Sequence, residues 1–122
     1  MKRSISAVLA AGIAAVALAA PAQADKYDYV LVLDDNGIYY DSITRVIDLG
    51  KQICSVGRTA PIEGTTMMQL LISTMGNAGY AAGEEQAIIA TAAANNMCPD
   101  VIPRWRASHE WVKQANARDG IA

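Results

Sequence analysis

The chain has 122 residues but only one histidine, His109, and only two cysteines, Cys54 and Cys98. His109 lies far from any metal-ligand spacing, and neither cysteine sits in a Cys-x-x-Cys pair. Zinc is therefore not expected. No glycine-rich phosphate loop is present, and no Ser, His and acid set stands out. A lone histidine is more often a bland surface or half-buried residue than a general base. Basic charge is scarce over most of the chain. Residues 25–100 hold four Lys/Arg against ten Asp/Glu, a net of −6, whereas residues 101–122 hold four against two, a net of +2. An acidic body does not attract phosphate backbones, so nucleic acid is not an expected partner. The run Asp34-Asp35-Asn36-Gly37 resembles part of a calcium loop. With Gly37 at the sixth loop position, the first and twelfth fall on Val32 and Ile43, which have no side-chain oxygen. The residues thus point to no catalytic set, no metal and no cofactor. His109, the tyrosines and the methionines are axial-ligand types for haem, but no paired-ligand spacing supports it.

What is present begins with an address. Lys2 and Arg3 precede an apolar run from Ile5 to Ala20, which Pro21 ends, and Ala22 and Ala24 form an Ala-x-Ala site. These are the three parts of a secretory signal peptide, and cleavage is expected after Ala24. The apolar run is shorter than the roughly 20 residues that cross a bilayer. No cysteine follows it, so the lipid-modified Cys of a lipoprotein is missing. The expectation is a protein secreted or held in the cell envelope, with no later segment able to span a membrane.

Residues 25–122 suffice for one domain, whose core would be marginal. Export to an oxidising space, an even cysteine count and small size together favour a disulfide between Cys54 and Cys98. It would close a loop of about 45 residues and contribute about 4 kcal/mol at most.

Helical periodicity dominates the chain from Asp41 onward. Asp41 or Ser42 can cap a helix in which Ile43, Val46, Ile47, Gly50, Ile53 and Cys54 make one face, with Gly57 expected to stop it. Thr65 or Thr66 can cap a second, with Met68, Leu71, Ile72 and Met75 as its inner stripe. Such a stripe is more often flexible core filling than a ligand surface. Glu84 to Met97 is rich in Ala and free of Pro and Gly, the strongest helix former in the chain. Glu84 and Glu85 suit its N-terminal dipole; adjacent on a helix, they diverge and make a poor catalytic pair. Ile89, Ala93 and Met97 line one stripe, and Ala92 and Ala93 allow close approach of a neighbour. Pro99 ends that helix. A last helical segment begins after Pro103 and runs to Gly120, with Trp105, His109 and Val112 on one face and Trp111 pointing away.

Residues 27–40 are ambiguous. Val30 to Leu33 before Asn36-Gly37 read as a β-hairpin. Tyr29, Val30 and Leu33 also fit helical spacing, with Asn36 or Gly37 as the stop. The residues alone leave both open.

The order of features resembles the domain-of-unknown-function family 732, small exported proteins typical of mycobacteria and related actinobacteria. The resemblance rests on Tyr29 and Leu33 before Gly37-Ile38, on Leu49-Gly50-x-x-Ile53-Cys54, on the turn Gly79-Tyr80, and on an Ala-rich helix ending in Cys98-Pro99. It covers residues 29–99. It implies a helix at 27–40, a small all-α domain and a Cys54–Cys98 disulfide, and it implies no activity. Two departures stand out. Ala81, Ala82 and Gly83 offer no side-chain cap where the family often has Ser or Thr, a loss of about 1 kcal/mol. The segment after Pro99 is also long for the family.

The expected architecture is an all-α bundle of four to five helices with one disulfide. Residues 1–24 are read as signal peptide, 25–100 as stapled domain and 101–122 as helical extension. The expected function is a non-catalytic binding or interaction module outside the membrane, with an envelope or extracellular partner and peripheral surface association. The candidate interaction surface is Arg104, Trp105, Arg106, His109 and Trp111. The alternative is a carrier of a small ligand such as haem or lipid, or a small enzyme, using a pocket between helices.

Overall fold

A computed structural model describes residues 22–118. All but the last three residues of the segment read as signal peptide lie outside the described residues, as does the Gly120 end of the last helix. The described residues form α1 (Ala22–Asp35), α2 (Ile43–Thr59), α3 (Thr66–Asn77), α4 (Glu84–Asn96), a 3-10 turn at Pro99–Val101 and α5 (Ile102–Arg118). No strand occurs among them, so residues 27–40 hold a helix and not a hairpin.

The helix wins because its apolar residues find partners. Tyr29, Val30 and Leu33 fall on one face of α1 and are buried. The Tyr29 hydroxyl donates to the Val46 carbonyl at 2.8 Å. Asn36-Gly37 then closes the helix where a hairpin turn was the alternative. Gly37 takes φ +70°, its N–H reaches the Asp34 carbonyl at 3.1 Å, and the Ile38 N–H reaches the Leu33 carbonyl at 2.9 Å. This is a Schellman end, completed by the buried pair Leu33 and Ile38. The same device closes α3. Gly79 has φ +100°, and its N–H and that of Tyr80 bond the carbonyls of Gly76 and Met75.

On α2, Ser42 is the cap, its hydroxyl accepting from the Arg45 N–H at 3.0 Å. Val46, Ile47, Leu49, Gly50, Ile53 and Cys54 are buried, while Ile43 is exposed. Gly57 does not stop the helix. It lies buried inside α2, which continues to Thr59. Its missing side chain is what Val101 and Trp105 pack against, since a Cβ there would come within 2.8 Å of both. Gly50 serves α1 in the same way: a Cβ there would meet the Tyr29 ring at 3.0 Å and the Met97 sulfur at 2.7 Å.

The inner stripe of α3 is Met67, Leu71 and Met75, whereas Met68 and Ile72 are exposed. The expected stripe is thus rotated by one position at two of its four members, and Thr65 makes no side-chain cap. α4 begins at Glu84 directly after Gly83, without a side-chain cap. It is the central helix, and its small residues Ala92 and Ala93 are buried. α1 makes its most extensive contact with it.

Cys54 and Cys98 are joined, with their Cα atoms 5.9 Å apart. The disulfide forms a second small core with Ala94 and Val101, against which Met97, Ile102 and Trp105 pack. It ties the end of α2 to the end of α4 at one pole of the bundle. Two arginines reinforce that pole. Arg58 forms a forked pair with Asp100, at 2.7 and 2.9 Å. Arg104 donates to the carbonyls of Gly57 and Ala60, at 2.6 and 2.8 Å. A guanidinium at the last turn of α2 satisfies carbonyls that have no helical partner and meets the negative end of the helix dipole.

Candidate functional site

Helix α5 touches the body through the 3-10 turn and α2. Between its residues from Trp105 to Val112 and α3, over α4, lies an open groove of about 520 Å³. Met67, Met68, Leu71, Ile72 and Met75 form one wall. Ala87, Ala90 and Thr91 form the floor, and Trp105, Ser108, His109 and Val112 the other wall. The groove explains the register of α3. Met68 and Ile72 sit one step off the core stripe because they face this opening, where no helix covers them.

No carboxylate, Lys or Arg lines the groove, and His109 is its one imidazole. Gln86, buried at the groove's edge, spends its amide N–H groups on the carbonyls of Tyr80, at 2.7 Å, and Ile72, at 3.3 Å. That bond set ties α4 to the end of α3 and shapes the wall. The Trp105 indole N–H is buried without a partner and faces Gly57, so it belongs to the seat of α5. Among the described residues no cluster of three His, Cys, Asp or Glu side chains is placed to hold a metal. Apolar burial is therefore the chemistry the groove offers.

The structure divides the five residues of the candidate interaction surface. Trp105 and His109 come together on the groove wall. Arg104 is committed to the end of α2. Arg106 and Trp111 lie outside the groove, exposed to solvent, with Trp111 37 % accessible. The methionine wall on α3 reads in sequence more readily as core filling than as a ligand surface. The signal that could have revealed it is the pair Met68 and Ile72 at i and i+4, adjacent to an equally apolar stripe on the same helix.

A second cleft, of about 540 Å³, lies at the opposite pole, where the α1–α2 loop meets the α3–α4 turn. Tyr39, Tyr40, Asp41, Arg45, Asn77 and Tyr80 are among its lining residues. The Tyr80 hydroxyl donates to the Tyr39 carbonyl at 2.6 Å, bridging the two loops. Burial, with Glu85 and Asp41 nearby, raises the Tyr80 hydroxyl above its ordinary pKa.

These features define a disulfide-stapled all-helical domain with an open, mostly apolar groove. The chain belongs to the DUF732 family of proteins of unknown function, whose model matches residues 21–100. No curated protein and no solved structure matches it. The family match stops just before α5, so one wall of the groove is built by residues outside it. The motif residues of the family have plain structural roles. Gly37 and Gly79 close helices, Gly50 admits the Tyr29 ring, and Cys54 and Cys98 are the staple.

Proposed function

We propose that this chain is an exported, non-catalytic binding module that holds the acyl chain of a lipid in the groove between α3, α4 and α5. The groove itself carries the reading. It is open, its volume lies in the range of small-ligand sites, and its lining is mostly apolar and holds no Lys, Arg, Asp or Glu. Three methionines adapt to a ligand without one fixed shape. Haem suits the groove less well, because its propionates call for cations and none lines it. Export is supported by the Lys2-Arg3, apolar-run and Ala-x-Ala pattern, and by a disulfide that suits an oxidising compartment. Cleavage after Ala24 would leave the buried anchors Tyr29 and Leu33 in the mature chain.

The test is titration of the oxidised protein with a fluorescent fatty acid such as 11-(dansylamino)undecanoic acid. Saturable binding with a blue-shifted dansyl emission is expected. Ile72→Glu places a charge in the groove at an already exposed position, so it should abolish binding while leaving the helical circular dichroism unchanged. Trp111→Ala, outside the groove, should leave binding intact. Equal binding by the Ile72→Glu variant would refute the reading. A second reading, peripheral association of α5 with an anionic surface, rests on exposed Trp111 on the helix that also exposes Arg106 and Lys113. It predicts the opposite ranking of the two variants in a vesicle sedimentation assay.

A further inference from the structure

We propose that the tyrosine-lined cleft at the loop pole is a binding site for a neutral oligosaccharide. The cleft lies at the opposite pole from the disulfide, and the proposal is independent of the groove reading. Its composition differs from that of the groove. Tyr39, Tyr40 and Tyr80 share it with Asp41, Arg45 and Asn77, so aromatic faces stand beside a carboxylate, a guanidinium and an amide. Sugar rings are amphipathic in the matching sense. One face presents C–H groups that pack on an aromatic ring, and the edge presents hydroxyls that both donate and accept hydrogen bonds.

Tyr39 is the residue that asks for a ligand most directly, because it is 75 % exposed. Its backbone is nevertheless pinned from across the cleft by the Tyr80 hydroxyl at 2.6 Å. Neighbouring Tyr40 is held by its hydroxyl bond to Asp34 at 2.8 Å. A tyrosine offers a large contact face and has only two side-chain torsions to fix on binding.

The charges argue for a neutral ligand. Arg45 is paired with Asp41 at 2.8 Å, so their charges cancel locally and the pair presents no net charge to a ligand. The pair still has lone pairs and N–H groups to offer hydroxyls, because both side chains are more than half exposed. An apolar chain would leave these polar groups unsatisfied, and a nucleic acid would meet an acidic body.

The experiment uses the full chain, isolated with its disulfide formed and labelled with nitrogen-15. It is titrated with maltohexaose, cellohexaose, xylohexaose and mannohexaose while amide resonances are followed. At least one of the four is expected to give saturable shifts concentrated in residues 39–45 and 77–80. Tyr39→Ala should weaken that binding roughly tenfold, the loss of one stacked aromatic face, while Tyr39→Phe retains it. Ile72→Glu, in the groove, should leave it unchanged. The proposal is overturned if none of the four sugars shifts the cleft amides in the millimolar range. It is equally overturned if Tyr39→Ala binds as well as the unsubstituted chain.

Discussion

The indole nitrogen of Trp105 rests against the bare Cα of Gly57, so close that a Cβ at Gly57 would sit 2.8 Å from it. That contact seats α5 on α2 and so sets where the groove wall stands. Replacing Gly57 by Ala improves helix propensity by up to about 1 kcal/mol. It also drives a methyl group into Trp105 and the β-branched Val101, neither of which can yield as a flexible chain end does. Overpacking of this kind costs about 1–3 kcal/mol, so urea unfolding should show a net loss for Gly57→Ala. Gly76→Ala is the control. Its Cβ meets nothing nearer than 4.0 Å, and a gain of about 0.5 kcal/mol is expected.

The disulfide links Cys54 to Cys98 across a separation of 44 residues, with both cysteines buried. A Cys54→Ala/Cys98→Ala chain should lose about 3 kcal/mol. For a domain of this size that lowers Tm by more than about 10 °C. Calorimetry of the oxidised and double-variant proteins checks it. Tm values within a few degrees would mean the staple adds little to a bundle already fixed by its core.

Gly37 and Gly79 close their helices at φ +70° and +100°, in open space. Backbone strain alone therefore decides their replacement. Alanine at either position should cost about 1 kcal/mol. Asn at Gly37 should recover part of that loss, since it tolerates the left-handed region better. Chemical denaturation of the three variants gives the ranking directly.

The hydrogen bond from Arg58 holds the Asp100 carboxyl below its usual pKa. A carboxyl depressed in the native state adds stability that is present above its unfolded value, about 4. That stability is lost as pH falls through the native value. Both side chains are more than half exposed, so the pair contributes under about 1 kcal/mol. Asp100→Asn should therefore cost little at pH 7 and should flatten the stability profile in the acid limb below about pH 4. An unchanged acid limb in urea titrations at several pH values would show that the pair is not coupled to folding.

Much of this architecture was legible because it is locally encoded. Apolar spacing around Val46, Ile47, Ile53 and Cys54 gave the buried face of α2, and Ser42 gave its start. Ile43 misled because it matches the period yet stands in the first turn, where nothing packs on it. At residues 27–40 the local signals were balanced between turn and helix end. Asn-Gly suits both, and burial of Tyr29 and Leu33 against α2 and α4 decided the matter. The candidate patch on α5 was only partly legible, since Trp105 and Trp111 are alike in sequence and differ in what lies opposite them.

By itself, the sequence determined that the described residues from Asp41 onward are helical, roughly where those helices lie, and that Cys54 and Cys98 are the covalent staple. These come from backbone preference, short-range periodicity and the chemistry of two thiols. Only the tertiary structure decided that Gly57 is a seat and not a stop, and that Arg104 closes α2 from 47 residues away. It likewise decided that Met68 and Ile72 stand exposed on the groove wall, while Met67, Leu71 and Met75 are buried at its base. Periodicity fixes which residues share a face, but which face is covered depends on where the other helices come to rest.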